Sequence, residues 1–228
     1  MWVWRAGSSC STRCSTRSAG PLRPWRARSL EVGDVLGHDC AMALPSTLHH
    51  FDLRFSQADH GIEGEAALKV ARHPSETMER VWLRVLAYAW KWREGITFGP
   101  GLCEPDAPDL LALAPGGRTA LLVRVGKPEP ARVERDVNQN AGADVAVLFD
   151  GARRLEAFLA EARERDLARA ATADLAAVDG PLLAELAGVD ARRIGVVVTL
   201  VADHLYVEVN GRALDGPLHR EGTSSREG

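Results

Sequence analysis

The chain has 228 residues, enough to bury a sizeable core in one domain with trimmings or in at most two small ones. With 46% hydrophobic and 26% charged residues it has the balance of a globular protein. Collagen-like, disordered and membrane-spanning classes are excluded, since no apolar run approaches the roughly 18 residues of a membrane helix. The net charge of −3 is uneven: residues 1–41 hold six Arg and three acids, which leaves 22 basic and 28 acidic side chains in the body. An acidic body argues against a broad nucleic-acid footprint. Arg outnumbers Lys 25 to 3, a coding bias that inflates any arginine-based signal.

Residues 1–41 are rich in Ser, Arg and Gly, carry no acid before Glu31 and show no apolar period, so nothing there builds a core. Trp2-Val3-Trp4 is too short for a secretory signal. Patterning starts at Met42, and the leader reads as a disordered stretch from a mis-assigned start. Cys10, Cys14 and Cys40 fall in it; Cys103 alone lies in the body, where neither a disulfide framework nor a zinc site can be built. That fits a reducing cytoplasm.

Residues 47–55 and 62–71 alternate around the turn Ala58-Asp59-His60-Gly61 and predict an antiparallel hairpin. Pro74 and the cap candidate Ser75 open a helix to about Trp92, with Glu76 and Glu79 near the positive end of its dipole. Arg80, Arg84 and Lys91 form one narrow polar stripe on that helix, so most of its surface must be buried. Residues 93–118 are punctuated by Gly and Pro and read as a long loop, a feature often tied to function. Thr119–Val125 is apolar on both faces except for Arg124 and predicts a central strand. A helix over 130–139, a buried strand over 144–149 and a helix over 152–165 then give a parallel strand, helix, strand unit. Residues 166–188 look helical by composition, broken at Asp179-Gly180-Pro181; 194–201 and 204–209 form a hairpin, the domain ends near 214, and 215–228 reads as a disordered tail.

Three residues stand out for chemistry. Glu79 shares a helix face with Leu83, Leu86 and Trp90, which puts one carboxylate on an apolar face unless it only answers the helix dipole. Asp109 lies in Pro105-Asp106-Ala107-Pro108-Asp109, just before the central strand, where turn chemistry alone would also favour it. Arg124 lies on the face of Ala120 and Leu122 and needs an opening to solvent or a carboxylate, for which Glu79 or Asp109 would serve. Lys127 follows Gly126, whose lack of a side chain allows close approach to a ligand, although the plainer reading of Lys127 is a solvated loop lysine. His49 and His50 face opposite ways, so they do not converge on a metal, and no hydrolase, phosphate-loop or dinucleotide motif is present.

The segments MALPSTLHHFDLRFSQADHG, LKVARHPSETMERVWLRVLAYAW, EGITFGPGLCEPDAPDLLAL and VRVGKPEPARV, in this order, resemble bacterial YaeQ proteins from about Met42 to Val209. The resemblance implies a mixed α/β (α+β) central sheet with flanking helices, similar to the restriction-endonuclease-like PD-(D/E)XK architecture. Active members of that superfamily hold Mg²⁺ on acids, with a lysine beside them. It also implies a short strand near 166–175. By motif position Glu79 is the helix acid and Asp109 the first site acid, the two metal ligands if any metal binds. The second site acid of the family block is here Arg124, and Lys127 stands one position late.

Replacing an anionic ligand by a cation changes local charge by two units, and like charges roughly 5 Å apart repel by several kcal/mol at an effective dielectric near 20. The expectation is therefore a degenerate remnant site of Glu79, Asp109 and Lys127, plugged by Arg124. No cofactor is expected, and the role is binding or regulatory with an unspecified partner. The alternative is a Mg²⁺-dependent nuclease or phosphodiesterase using Glu79 and Asp109. Nucleic-acid binding is disfavoured by charge, and no membrane association is implied.

Overall fold

In the computed structural model residues 46–100, 104 and 106–220 are described. The leader, its cysteines, Met42, Cys103 and the last eight residues of the tail lie outside them. The alternating hairpin forms as β1 (Thr47–Gln57) and β2 (Ile62–Arg72), paired antiparallel through a 3-10 turn that ends at Gly61 in the left-handed region. Helix α1 runs Met78–Trp90. Its cap is Thr77, which accepts the Arg80 N–H, whereas Ser75, expected to cap it, bonds the His73 ring instead.

The expected loop over 93–118 contains two short strands, β3 (Thr97–Phe98) and β4 (Leu110–Leu113). Neither has an alternating pattern of its own; both exist because β4 pairs antiparallel with β5 (Thr119–Gly126). Then α2 (Pro130–Gln139), β6 (Asp144–Phe149) and α3 (Ala152–Glu164) follow as the patterning predicts, with β6 parallel to β5. Residues 174–178 correct the helical reading of that stretch. They form β7 (Asp174–Val178), parallel to β6, because Leu175 and three small or branched neighbours fill a slot buried on both faces. Asp179 caps α4 (Gly180–Ala187) by accepting the Leu182 N–H at 3.3 Å.

The closing hairpin is β8 (Arg193–Val201) and β9 (His204–Val209), and β8 lies parallel beside β1. The expected tail does not begin at 215, because Arg212–Arg220 forms a further strand, β10. Gly216 and Pro217 interrupt any strand pattern there, so the stretch reads as the start of a tail. In the fold they allow a switch of partner: residues 212–217 pair with β9, and 218–220 pair with β7. A side chain at Gly216 would come within 3.2 Å of Asp179 and Leu182, so glycine lets β10 pass under α4.

All ten strands thus join in one mixed sheet, β2-β1-β8-β9-β10-β7-β6-β5-β4-β3. The sheet is nearly closed and barrel-like. It wraps α1, which touches β1, β2 and β8 from one half, β4, β5 and β6 from the other, and α4. That explains why α1 is buried on almost every side, with Val81, Trp82, Val85 and Ala87 at 0% exposure. The Gln57 amide donates to the Ala89 and Trp90 carbonyls at 2.7 and 3.1 Å and ties the end of β1 to the end of α1. On the other face α2 and α3 cover β5, β6 and β7 through Leu122, Val133, Val147, Leu155 and Phe158. Among the described residues no helix is long and apolar enough to cross a membrane.

Candidate functional site

The site grows from the turn that feeds α1. His73 Nδ1 lies 2.7 Å from Ser75 Oγ, the Glu76 N–H donates to the His73 carbonyl at 2.8 Å, and Arg72 Nε donates to the Glu76 carbonyl at 2.9 Å. These bonds fold the Arg-His-Pro-Ser-Glu stretch inward, so Glu76 is 4% exposed, while Glu79 points to solvent from the first turn. The inward acid at the head of α1 is therefore Glu76.

One and two turns on, Arg80 and Arg84 lie on the same face as Glu76. Arg84, 2% exposed, donates from Nη2 to the Ala71 carbonyl at 2.7 Å and to Glu76 at 3.1 Å. Arg80 lies between two carboxylates: its Nε is 3.4 Å from Glu76 Oε1, and its Nη2 donates to Asp109 Oδ1 at 2.5 Å. Its Nη1 reaches the Val125 carbonyl at 2.9 Å. Asp109 itself is 5% exposed, and its second oxygen accepts the Val125 N–H at 2.9 Å. Two acids and two arginines thus form a formally neutral cluster, buried except for the partly exposed Arg80, that joins α1, β5 and the residue before β4.

Burial pushes the Asp109 carboxyl above its ordinary range, against the pull of Arg80, the Val125 N–H and Arg84. Burial likewise draws the Arg84 guanidinium down, against Glu76 and Asp109. The buried charges of Glu76, Arg84 and Asp109 are thus held mainly by pairing, while Arg80 keeps a partly exposed edge.

Gly126 ends β5 at φ +85°, and a Cβ there would lie 3.2 Å from Arg80 Nη1. The close approach foreseen at this glycine is made by the protein's own guanidinium. Gly126→Ala is expected to lower stability by about 1–2 kcal/mol, the cost of an L side chain at positive φ. Urea unfolding checks this, and an unchanged midpoint would show that the approach exerts no constraint.

Arg124 does not pair with Glu79 or Asp109. It shares the strand face of Leu122, beneath α2. There it binds Asp136 through Nε and Nη2 and donates to the Asp106 and Ala107 carbonyls at 3.1 and 3.2 Å. The strand alternates, so Val123 and Val125 face the α1 side while Arg124 faces away from it. The guanidinium against Asp109 is Arg80, and Asp136 is the partner that the sequence reading missed. The signal for the cluster was present as acid, Arg, Arg at positions 76, 80 and 84, from just before the cap into a largely apolar helix. Lys127 is exposed beyond the end of β5. The structure brings Asp109 together with neither Glu79 nor Lys127 by any hydrogen bond or ion pair among the described residues. Nor does any group of three His, Cys, Asp or Glu side chains among them converge as a metal site.

The chain matches the family model described as YaeQ protein over residues 42–216. It is 32% identical over 112 residues to the "Uncharacterized protein YaeQ" of Escherichia coli strain K12 and, to the same extent, to that of Salmonella typhi. Those alignments cover 49% of this chain and 61% of each relative, so the match spans less than two thirds of the curated relatives' length. The fold is similar to the crystal structure of the YaeQ protein from Pseudomonas syringae, with a TM-score of 0.68 and 27% identity over 80% of this chain and 99% of that one. It is also similar to that from Xanthomonas axonopodis pv. citri, with a TM-score of 0.69 and 23% identity over 77% and 97%. With a family model covering most of its length and the same fold in two family structures, the chain belongs to the YaeQ family.

Proposed function

We propose that this YaeQ-family chain is a non-catalytic descendant of the PD-(D/E)XK nuclease architecture that works as a binding or regulatory protein. The observation that carries the reading is Arg80 seated between Glu76 and Asp109. A divalent cation held by two carboxylates would need that position, and the guanidinium fills it with three polar contacts of its own. Both Asp109 oxygens are already engaged, by Arg80 and by the Val125 N–H. The residues present therefore do not fit a hard metal ion, and no metal-activated water is derived from them. The acid called for on β5 is replaced by Arg124, whose partner lies on α2.

The test is an endonuclease assay with Mg²⁺ or Mn²⁺ on wild type and Arg80→Ala, with duplex and single-stranded DNA. The expected result is no cleavage by wild type. Metal-dependent cleavage by wild type that Asp109→Ala abolishes would overturn the proposal in favour of a phosphodiesterase using Asp109. Cleavage by Arg80→Ala alone would mark Arg80 as the residue that disables the site.

A further inference from the structure

A cavity of about 690 Å³ lies at the carboxyl ends of the parallel strands β5, β6 and β7, where α2, α3 and α4 begin. Crevices at this place in α/β sheets are where small ligands bind. Its wall is apolar where Pro128, Pro130, Ala157 and Phe158 face it. Its rim is charged, and most of those charges are committed. Asp150 lies 2.7 Å from Arg154 Nε, and Glu161 is 2.7 Å from Arg165. Asp179 caps α4 and lies 3.8 Å from His219 Nε2.

Lys127 and Arg153 differ. Both are exposed, both line the cavity, and among the described residues neither has an ion-pair partner. Glu129 is the one acid of the rim without an ion-pair partner among those residues, so the uncommitted charge is net positive. The α3 helix starts behind Gly151 with no side-chain cap, which adds a positive dipole end to the same cavity.

We propose that this cavity binds a small organic anion, a carboxylate or phosphate carried on a flat apolar body. Lys127 and Arg153 hold the head, and the wall around Phe158 takes the body. The pocket is separate from the Arg80 cluster, so it stands or falls independently of whether that cluster ever binds metal. Lys127 then has a role at this rim rather than beside Asp109.

The test titrates the full chain with naphthyl phosphate, naphthoate and the neutral naphthalenemethanol, by calorimetry and backbone amide NMR. At least one anion is expected to bind at a single site about tenfold or more tightly than the alcohol. Shifts are expected at the Gly151, Ala152 and Gly180 amides. The tighter of the two anions identifies the head group. Lys127→Glu combined with Arg153→Glu is expected to erase the preference, and Ala157→Trp, which fills the cavity from an exposed position, to remove binding with an unchanged melting temperature. Absence of saturable binding, equal affinity for anion and alcohol, a preference that survives charge reversal, or binding that persists in Ala157→Trp would each overturn the proposal.

Discussion

Glu76→Ala is expected to destabilise the fold by about 3–5 kcal/mol, far beyond the loss of a surface acid. Glu76 is the only carboxylate bonded to Arg84 among the described residues, and the Arg84 side chain is 3% exposed. Without it a guanidinium remains in the core with the Ala71 carbonyl as its acceptor, and Arg80 keeps Asp109 and the Val125 carbonyl. The penalty belongs to the stranded charge and not to the value of the pair. Glu76→Leu combined with Arg84→Met is therefore expected to recover most of the loss, since a packed apolar pair of similar volume substitutes well for a buried ion pair. Urea unfolding followed by circular dichroism reads both. A loss below about 1 kcal/mol for Glu76→Ala would show that water reaches Arg84 and that the cluster is open.

Trp82→Ala is expected to cost a similar 3–5 kcal/mol for a different reason. Trp82 is 0% exposed at the centre of α1, with its ring edge-on to Phe51 at 5.2 Å. Truncation leaves a cavity inside the wrapped sheet that both halves would have to collapse to fill. Among the described residues its indole Nε1 has no hydrogen-bond partner. Trp82→Phe therefore removes an unsatisfied donor as well as volume, and is expected to cost no more than about 1.5 kcal/mol. If the two variants cost the same, the indole nitrogen has a partner that this account lacks.

The contrast between the two variants reflects how the sequence carries its information. The β5, α2, β6, α3 run was legible because each element is marked locally, by an apolar run or by Pro130 at a helix start. The β4 and β10 strands were not, and β7 was implied only by the family resemblance, because tertiary pairing decides all three. Leu110–Leu113 is too short to show a period, Asp174–Val178 is rich in helix-forming alanine, and Gly216-Pro217 interrupts any strand pattern. At the site, the sequence singled out Asp109 and the need of a buried Arg124 for a carboxylate, and the structure pairs Arg124 with Asp136 and Asp109 with Arg80. The partner was misassigned because strand alternation sends Arg124 to the α2 face. The arginine stripe of α1 supplies the guanidinium from a helix whose burial only the curved sheet explains. Glu79 was preferred to Glu76 because it shares a helix face with Leu83, Leu86 and Trp90, but in the fold it is exposed, and the turn before the cap Thr77 carries Glu76 inward instead.

On the proposed reading Arg80 holds the place a metal would need beside Asp109. Calorimetric titration of the full chain with Mg²⁺ and Mn²⁺ at low ionic strength tests it directly. No binding in the micromolar range is expected for wild type or for Asp109→Ala. Micromolar affinity in wild type that disappears in Asp109→Ala would contradict it.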